Sequence, residues 1–144
     1  MDPVLKAAFP RLTDADLERL AALAERAFLR AGEVVLAEGE LNRTLFLVRE
    51  GRLRVEKDAD GRRVEVAQLA PGELFGDVSF VAGGAVTASV VVDQAAALDR
   101  IDGASLDALL AADAALAARF YHSVAQGLAE RLRDRTEAFA VGIF

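Results

Sequence analysis

The strongest constraint on the fold is a series of short runs between residues 28 and 101 in which apolar and polar side chains alternate. Alternation with a period of two puts successive side chains on opposite faces of a β-strand. Glycine or Pro-Gly separates many of the runs, and Asp60-Gly61 between two of them is a strong signal for a two-residue hairpin turn. Many short strands with regular turns are typical of a sandwich, jelly roll or barrel, so the sequence predicts a β body over residues 28–101. The runs are EVVLAEG, TLFLVREG, RLRVEKD, RRVEVAQLA, TASVVV and AAALDRI.

The segment before this body, residues 13–27, has helical spacing. Thr13 is a candidate N-cap, and Asp16 stands at the third helical position, which is the arrangement of a capping box. The sequence therefore predicts an N-terminal helix over residues 13–27. Its predicted apolar face consists of Leu17, Leu20, Ala21, Leu23 and Ala24.

Residues 102–139 return to helical spacing and predict a short helix followed by a longer one. The longer helix carries an apolar stripe, which either packs on the β body or contacts a protein partner or a second copy of the chain. Gly127 lies beside the stripe and either permits close approach of another element or is simply tolerated. Taken together, the chain is predicted to be a single domain over residues 1–144, mainly β with flanking helices. The stripe consists of Leu116, Phe120, Val124, Leu128 and Leu132.

The composition excludes several classes of function. The chain has no cysteine and one histidine, so disulfides, thiolate metal sites and multi-histidine metal sites are excluded. The formal net charge of −6 argues against a nucleic acid partner, because contacts to phosphates need a basic face. We therefore predict no metal site and no nucleic acid partner.

Catalytic motifs are absent from the sequence as well. It contains neither the Gly-x-Ser-x-Gly pattern of serine hydrolases nor a Walker pattern for nucleoside triphosphates. The single histidine, His122, follows Phe120-Tyr121 on a predicted helix, where packing or capping accounts for it. We predict no catalytic residues, and hence a protein that is not an enzyme.

The apolar segments are short for a membrane protein. The longest uncharged and mostly apolar run, Phe80–Val92, has 13 residues, whereas a spanning helix needs about 20. The first ten residues, MDPVLKAAFP, lack the basic and apolar regions of a signal peptide. We expect a cytoplasmic protein without direct membrane insertion, or a cytoplasmic domain of a larger protein.

One stretch within the β body, PGELFGDVSFVAGGAVTASV at residues 71–90, combines features of a phosphate-binding loop. Gly72 and Gly76 allow tight turns and close approach of the backbone to a ligand. The N–H groups at the start of a short helix attract anions. Asp77 is suited to accept hydrogen bonds from sugar hydroxyls. Yet the stretch contains no lysine and no arginine.

This stretch resembles the phosphate-binding cassette of cyclic nucleotide-binding domains. That family includes bacterial regulators of the catabolite-activator type, protein kinase A regulatory subunits and nucleotide-gated channels, and the similarity covers roughly residues 12–135. The resemblance implies a jelly-roll β-barrel with an N-terminal helix and a C-terminal helical pair, a cassette over residues 72–90, and cAMP or cGMP as ligand. The positions that match the cassette pattern are Phe75, Gly76, Thr87, Ala88, Ser89 and Val90. The ligand-binding candidates that follow are Phe75, Gly76, Asp77, Val78, Ser79, Val86, Thr87 and Ala88.

The cassette departs from the family pattern at its two charged positions. The glutamate that usually holds the ribose hydroxyl is Asp77, and the arginine that pairs with the cyclic phosphate is replaced by Val86. A charge-assisted hydrogen bond contributes roughly 1.5–3 kcal/mol, so its loss predicts cyclic nucleotide binding that is weakened by one or more orders of magnitude.

Two functional interpretations follow. In the first, the pocket is degenerate, cAMP and cGMP bind weakly or not at all, and the chain is a regulatory or interaction module. In the second, the chain is a sensor of a cyclic nucleotide or another small ligand, and occupancy of the pocket moves the C-terminal helix. The second interpretation needs a replacement cation, for which the candidates are Arg43, Arg131, Arg133 and Arg135.

Overall fold

The computed structural model describes residues 2–134, which form a six-stranded antiparallel sheet with helices at both ends of the chain. Two long strands occupy the middle of the sheet, and their neighbours complete a jelly-roll β-barrel, so the predicted mainly-β fold with flanking helices is confirmed. In chain order the elements are α1 (Pro3–Ala8), α2 (Asp14–Ala21), β1 (Glu25–Leu29), β2 (Val34–Leu36), β3 (Leu45–Ala59), β4 (Arg62–Leu69), β5 (Leu74–Phe75), α3 (Asp77–Ala82), β6 (Ser89–Ile101), α4 (Gly103–Ala112) and α5 (Ala114–Asp134).

Strand order follows from pairing with the two long strands. The order is β1-β6-β3-β4, with β2 also paired to β6 and β5 to β3. The β3–β4 hairpin closes between Ala59 and Arg62, and both residues of its turn, Asp60 and Gly61, have positive φ (53° and 82°). Positive φ at both central positions is the geometry of a type I′ turn, which Asp-Gly favours. The predicted hairpin is therefore confirmed.

The strand β3 contributes to two separate cores because its side chains alternate between faces. Leu45 and Leu47 point into a core shared with the helices, whereas Phe46 and Val48 point into the barrel interior. Further along the same strand, Leu53 is fully buried in the barrel core. The apolar runs of the sequence thus supply both a helix-facing layer and a barrel filling.

The N-terminal helix is shorter than the sequence predicts. The capping box of Thr13 and Asp16 is present, but α2 ends at Ala21 instead of residue 27. Residues 25–29 form β1, whose ladder with β6 runs from Glu25–Arg100 to Leu29–Ala96. A helix continuing to residue 27 would leave the backbone groups of this β6 edge without those partners. The β body therefore begins at residue 25, not 28. The helix α1, whose N-cap is Asp2, was not predicted from the sequence.

The apolar stripe of α5 is mostly part of the helix-facing core. Leu116 and Phe120 are fully buried, Val124 is 3% exposed, Leu128 is partly buried and Leu132 is 48% exposed. Four residues turn a helix by about 400°, which is one full turn and about 40° more. Each residue of the stripe therefore lies about 40° further around the helix than the one before it, and the last ones no longer face the core. Of the two interpretations of the stripe, packing within the domain therefore applies to Leu116, Phe120 and Val124, and a contact with a partner stays a prediction for Leu128 and Leu132. The predicted helical segment extended to residue 139, and positions 135–139 lie outside the described residues.

Candidate functional site

The cassette begins with a tight turn between β5 and α3. Phe75 of β5 pairs with Phe46 of β3, and their rings stack with centroids 4.7 Å apart. Gly76 follows with φ 78°, and a Cβ atom built at this position would lie 2.3 Å from the carbonyl oxygen of Thr44. Only glycine fits such a turn, because positive φ and the backbone contact both exclude a side chain. The chain then enters the short helix α3 at Asp77, where the sequence predicts a helix.

The structure brings all eight ligand-binding candidates to the wall of one cavity of about 100 Å³. The barrel side of this cavity is apolar, and Arg131 of α5 lies on its wall as well. The barrel residues that complete the wall are Leu36, Val55, Leu69 and Val90. The cavity is therefore lined by the cassette, the barrel and the last helix.

Val86 forms part of the apolar wall. Its side chain is 6% exposed and belongs to the barrel core. Its backbone is held on both sides, since its N–H donates to the carbonyl of Glu40 and its carbonyl accepts from the N–H of Gly39, both at 2.8 Å. The position where the family pattern has a cation thus presents a fixed hydrocarbon surface that cannot donate a hydrogen bond.

Asp77 is buried and ion-paired. Its side chain is 5% exposed, and one carboxylate oxygen accepts a hydrogen bond of 3.2 Å from the N–H of Val78. The other oxygen accepts from the Nη2 of Arg131, whose side chain is 26% exposed. A buried carboxylate is unfavourable without a partner of opposite charge. Arg131 supplies that positive charge, so the negative charge of Asp77 is balanced within the protein.

The four arginines proposed as replacement cations have different positions. Arg131 lies on the cavity wall, whereas Arg43 does not and makes two hydrogen bonds to Asp107 and one of 3.0 Å to the carbonyl oxygen of Phe80. The first of these bonds holds the pKa of Asp107 below its usual value. Arg133 is not among the described residues on the cavity wall, and position 135 lies outside the described residues.

A lysine at the exit of the cassette was not predicted from the sequence. Lys57 lies two residues after Val55 on β3, so the two side chains share a face of the strand. The Nζ of Lys57 donates a hydrogen bond of 2.6 Å to the carbonyl oxygen of Thr87 and lies 3.7 Å from a carboxylate oxygen of Glu38. The alternation of β3 would have located it next to the pocket.

A second cavity, of about 190 Å³, lies beneath α5. It is lined by α1, α5 and the turn between β4 and β5, and Gly127 is on its wall. Among residues 2–134, no atom outside the helix's own backbone lies within 4 Å of a Cβ built at Gly127, so no described element approaches this glycine closely. Asp77 and Arg131 line this cavity and the first one, so their ion pair stands between the two.

None of the helices among residues 2–134 combines the length and the apolar character needed to cross a lipid bilayer.

Comparison with known proteins assigns the family. A sequence model described as "Cyclic nucleotide-binding domain" matches residues 26–113. The chain is 33% identical over 124 residues to "Cyclic GMP-binding protein C" of Dictyostelium discoideum, which covers 85% of this chain and 5% of that protein. It is 32% identical over 114 residues to "Cyclic AMP receptor protein" of Thermus thermophilus, covering 76% of this chain and 50% of that protein.

A solved structure agrees with this assignment along nearly the whole chain. The N-terminal domain of a transcriptional regulator from Streptomyces coelicolor superimposes with a TM-score of 0.79 and 26% identity, covering 90% of this chain and 94% of that one. The chain spans half or less of the two sequence relatives, which are longer proteins. The fold, the cassette and these matches agree, and the chain belongs to the cyclic nucleotide-binding domain family.

Proposed function

We propose that this chain is a regulatory module of the cyclic nucleotide-binding fold in which cAMP and cGMP bind weakly or not at all. The observation that carries the proposal is Val86, a buried apolar side chain at the position where the family pattern pairs an arginine with the cyclic phosphate. Loss of a charge-assisted hydrogen bond of roughly 1.5–3 kcal/mol corresponds to about 10- to 150-fold weaker binding.

The charges around the pocket support the same proposal. Arg131 is the only lysine or arginine among the described residues on the wall of the cassette cavity, and its guanidinium is paired with Asp77. An anion that entered would face the carboxylate of Asp77 unless Arg131 exchanged partners. The free cavity of about 100 Å³ is also smaller than the roughly 300 Å³ at the lower end of ligand pockets.

The output of such a module would pass through α5 or through other exposed surfaces to the rest of a larger protein or to a separate partner. The longer relatives support this part of the proposal, since each carries more chain than the matched domain. The expected cytoplasmic location and the absence of catalysis belong to the same proposal.

One observation favours the second interpretation, a sensor of a small ligand. The pocket keeps an open volume with all eight candidate residues on its wall, and two cations are near it, Arg131 on the wall and Lys57 at the exit of the cassette. In that case a ligand would recruit one of these cations in place of an arginine at position 86.

Isothermal titration calorimetry with cAMP and cGMP separates the two interpretations. The wild-type chain is compared with Val86→Arg, which restores the cation of the family pattern. Val86→Leu is the matched control, because it changes the volume of the side chain without adding charge. The proposal predicts binding by Val86→Arg alone.

A further inference from the structure

The carboxylate that the family pattern assigns to the ligand is already occupied by the protein. Asp77 is 5% exposed at its side chain, and its two oxygens accept from the N–H of Val78 and from the guanidinium of Arg131. The two oxygens can accept about four hydrogen bonds, but the Asp77 side chain is 5% exposed and Arg131 lies beside it on the cavity wall, so a sugar hydroxyl gains room at the carboxylate only if the guanidinium moves.

The ion pair also sets the shape of the pocket. Asp77 and Arg131 are the two residues that line both the cassette cavity and the cavity beneath α5. The volumes, about 100 Å³ and 190 Å³, are each below the range of small-molecule pockets. The pair therefore stands at the boundary between the two cavities, and its separation would change the wall of both.

The same pair connects the last turns of α5 to the cassette. The first half of α5 is held by buried side chains, among them Phe120 and Val124, and by Ser123, whose Oγ accepts a hydrogen bond of 3.0 Å from the N–H of Arg11. Arg131 lies two turns further on, where the helix face has rotated away from the core. Its bond to Asp77 is therefore placed to fix the end of α5 on the cassette.

We propose that Arg131 is an internal competitor for the ligand-binding carboxylate, and that its pairing with Asp77 keeps α5 closed over the pocket. Removal of Arg131 without a substitute leaves a buried carboxylate unpaired, which is strongly unfavourable. A ligand that displaces Arg131 must therefore bring its own donors to Asp77, such as the hydroxyls of a sugar. The competition with a cyclic nucleotide rests on the proposed function; the closure of α5 does not.

The closure is tested without ligand by hydrogen–deuterium exchange of the full chain. We expect Arg131→Gln to raise amide exchange in peptides from residues 125–134 by about tenfold, and by more than in β6, whose exchange reports the overall loss of stability. Arg19→Gln is the matched control, since Arg19 forms an exposed ion pair with Asp113 immediately before α5. Unchanged exchange at the end of α5 in Arg131→Gln, or an equal rise in Arg19→Gln, would overturn the closure.

The competition is tested by calorimetry with cAMP in the Val86→Arg background. We expect the double variant Val86→Arg/Arg131→Gln to bind about tenfold more tightly than Val86→Arg alone. Equal binding would overturn the competition, and so would weaker binding, which would mean that Arg131 holds the ligand. If Val86→Arg binds no cAMP, the proposed role of Val86 fails and the competition is overturned with it, whereas the exchange experiment still decides whether Arg131 closes the pocket.

Discussion

Phe80 of α3 packs edge-on against Phe120 of α5, with ring centroids 6.0 Å apart and an interplanar angle of 81°. Phe120 in turn stacks on Phe9, which follows α1, at a centroid distance of 5.5 Å. The cassette helix, the C-terminal helix and the N-terminal segment thus share one buried aromatic cluster. A displacement of α3 by a ligand would have to be accommodated by α5, which gives the cassette a direct mechanical contact with the end of the chain.

The first prediction concerns the two ends of the α5 stripe. Phe120→Ala should lower the free energy of unfolding by about 3–5 kcal/mol, because it leaves a cavity in the core. Leu132→Ala, on the same stripe but half exposed, should change it by less than about 0.5 kcal/mol. Urea denaturation followed by circular dichroism measures both. Similar losses for the two variants would contradict the placement of the stripe.

The sequence predicted the features that depend on local chemistry. The Asp60-Gly61 hairpin and the Thr13–Asp16 capping box rest on residues close in sequence, and both are present. The predicted end of α2, at residue 27, was wrong because residues 25–29 form β1, which is stabilised by its pairing with β6, some 70 residues away. The local pattern of residues 22–27 contains no information about this distant strand.

The site was predictable to a similar extent. The cassette pattern placed Val86 on the pocket wall, where the structure also has it. The choice of Arg131 among four arginines depends on how α5 crosses the barrel, which is a property of tertiary packing and not of the sequence near Arg131. Lys57 could have been predicted from the sequence, because the period of two along β3 places its side chain on the same face as that of Val55.

The second prediction uses two glycines with opposite environments. Gly76→Ala should destabilise the chain by about 2–4 kcal/mol, because positive φ and the Thr44 carbonyl at 2.3 Å oppose a Cβ atom. Gly127→Ala should stabilise it by about 0.5–1 kcal/mol, because the position is helical with open space around it. Thermal unfolding of the two variants tests both signs. A loss of stability in Gly127→Ala would contradict this prediction, because it would mean that the added Cβ atom is not accommodated at this position.

The third prediction concerns pH. The hydrogen bonds from Arg119 hold the pKa of Asp16 at about 2, below its ordinary value near 4. A carboxyl whose pKa is depressed in the folded state stabilises the fold above its unfolded pKa and loses this contribution as the pH falls through the folded value. The contribution should be full above about pH 4 and lost towards pH 2.

The variant Arg119→Gln tests this assignment. It should be less stable than the wild type at neutral pH, because Asp16 loses its ion pair, although exposure of Arg119 to solvent screens this pair in part. The difference should shrink as the pH falls from about 4 to about 2. Urea denaturation across pH 2–7 measures it, and a difference that stays constant over this range would assign the effect to packing of the Arg119 side chain instead.

The measurement that tests the central claim most directly is calorimetry of the wild-type chain and of Val86→Arg with cAMP at up to millimolar concentration. The account predicts no measurable heat of binding for the wild type at these concentrations. It predicts that Val86→Arg binds cAMP with a dissociation constant at least tenfold below the weakest that the titration can detect. Micromolar binding by the wild type would contradict it, because a cation other than one at position 86, such as Arg131 or Lys57, would then hold the phosphate, and the chain would be a cyclic nucleotide sensor.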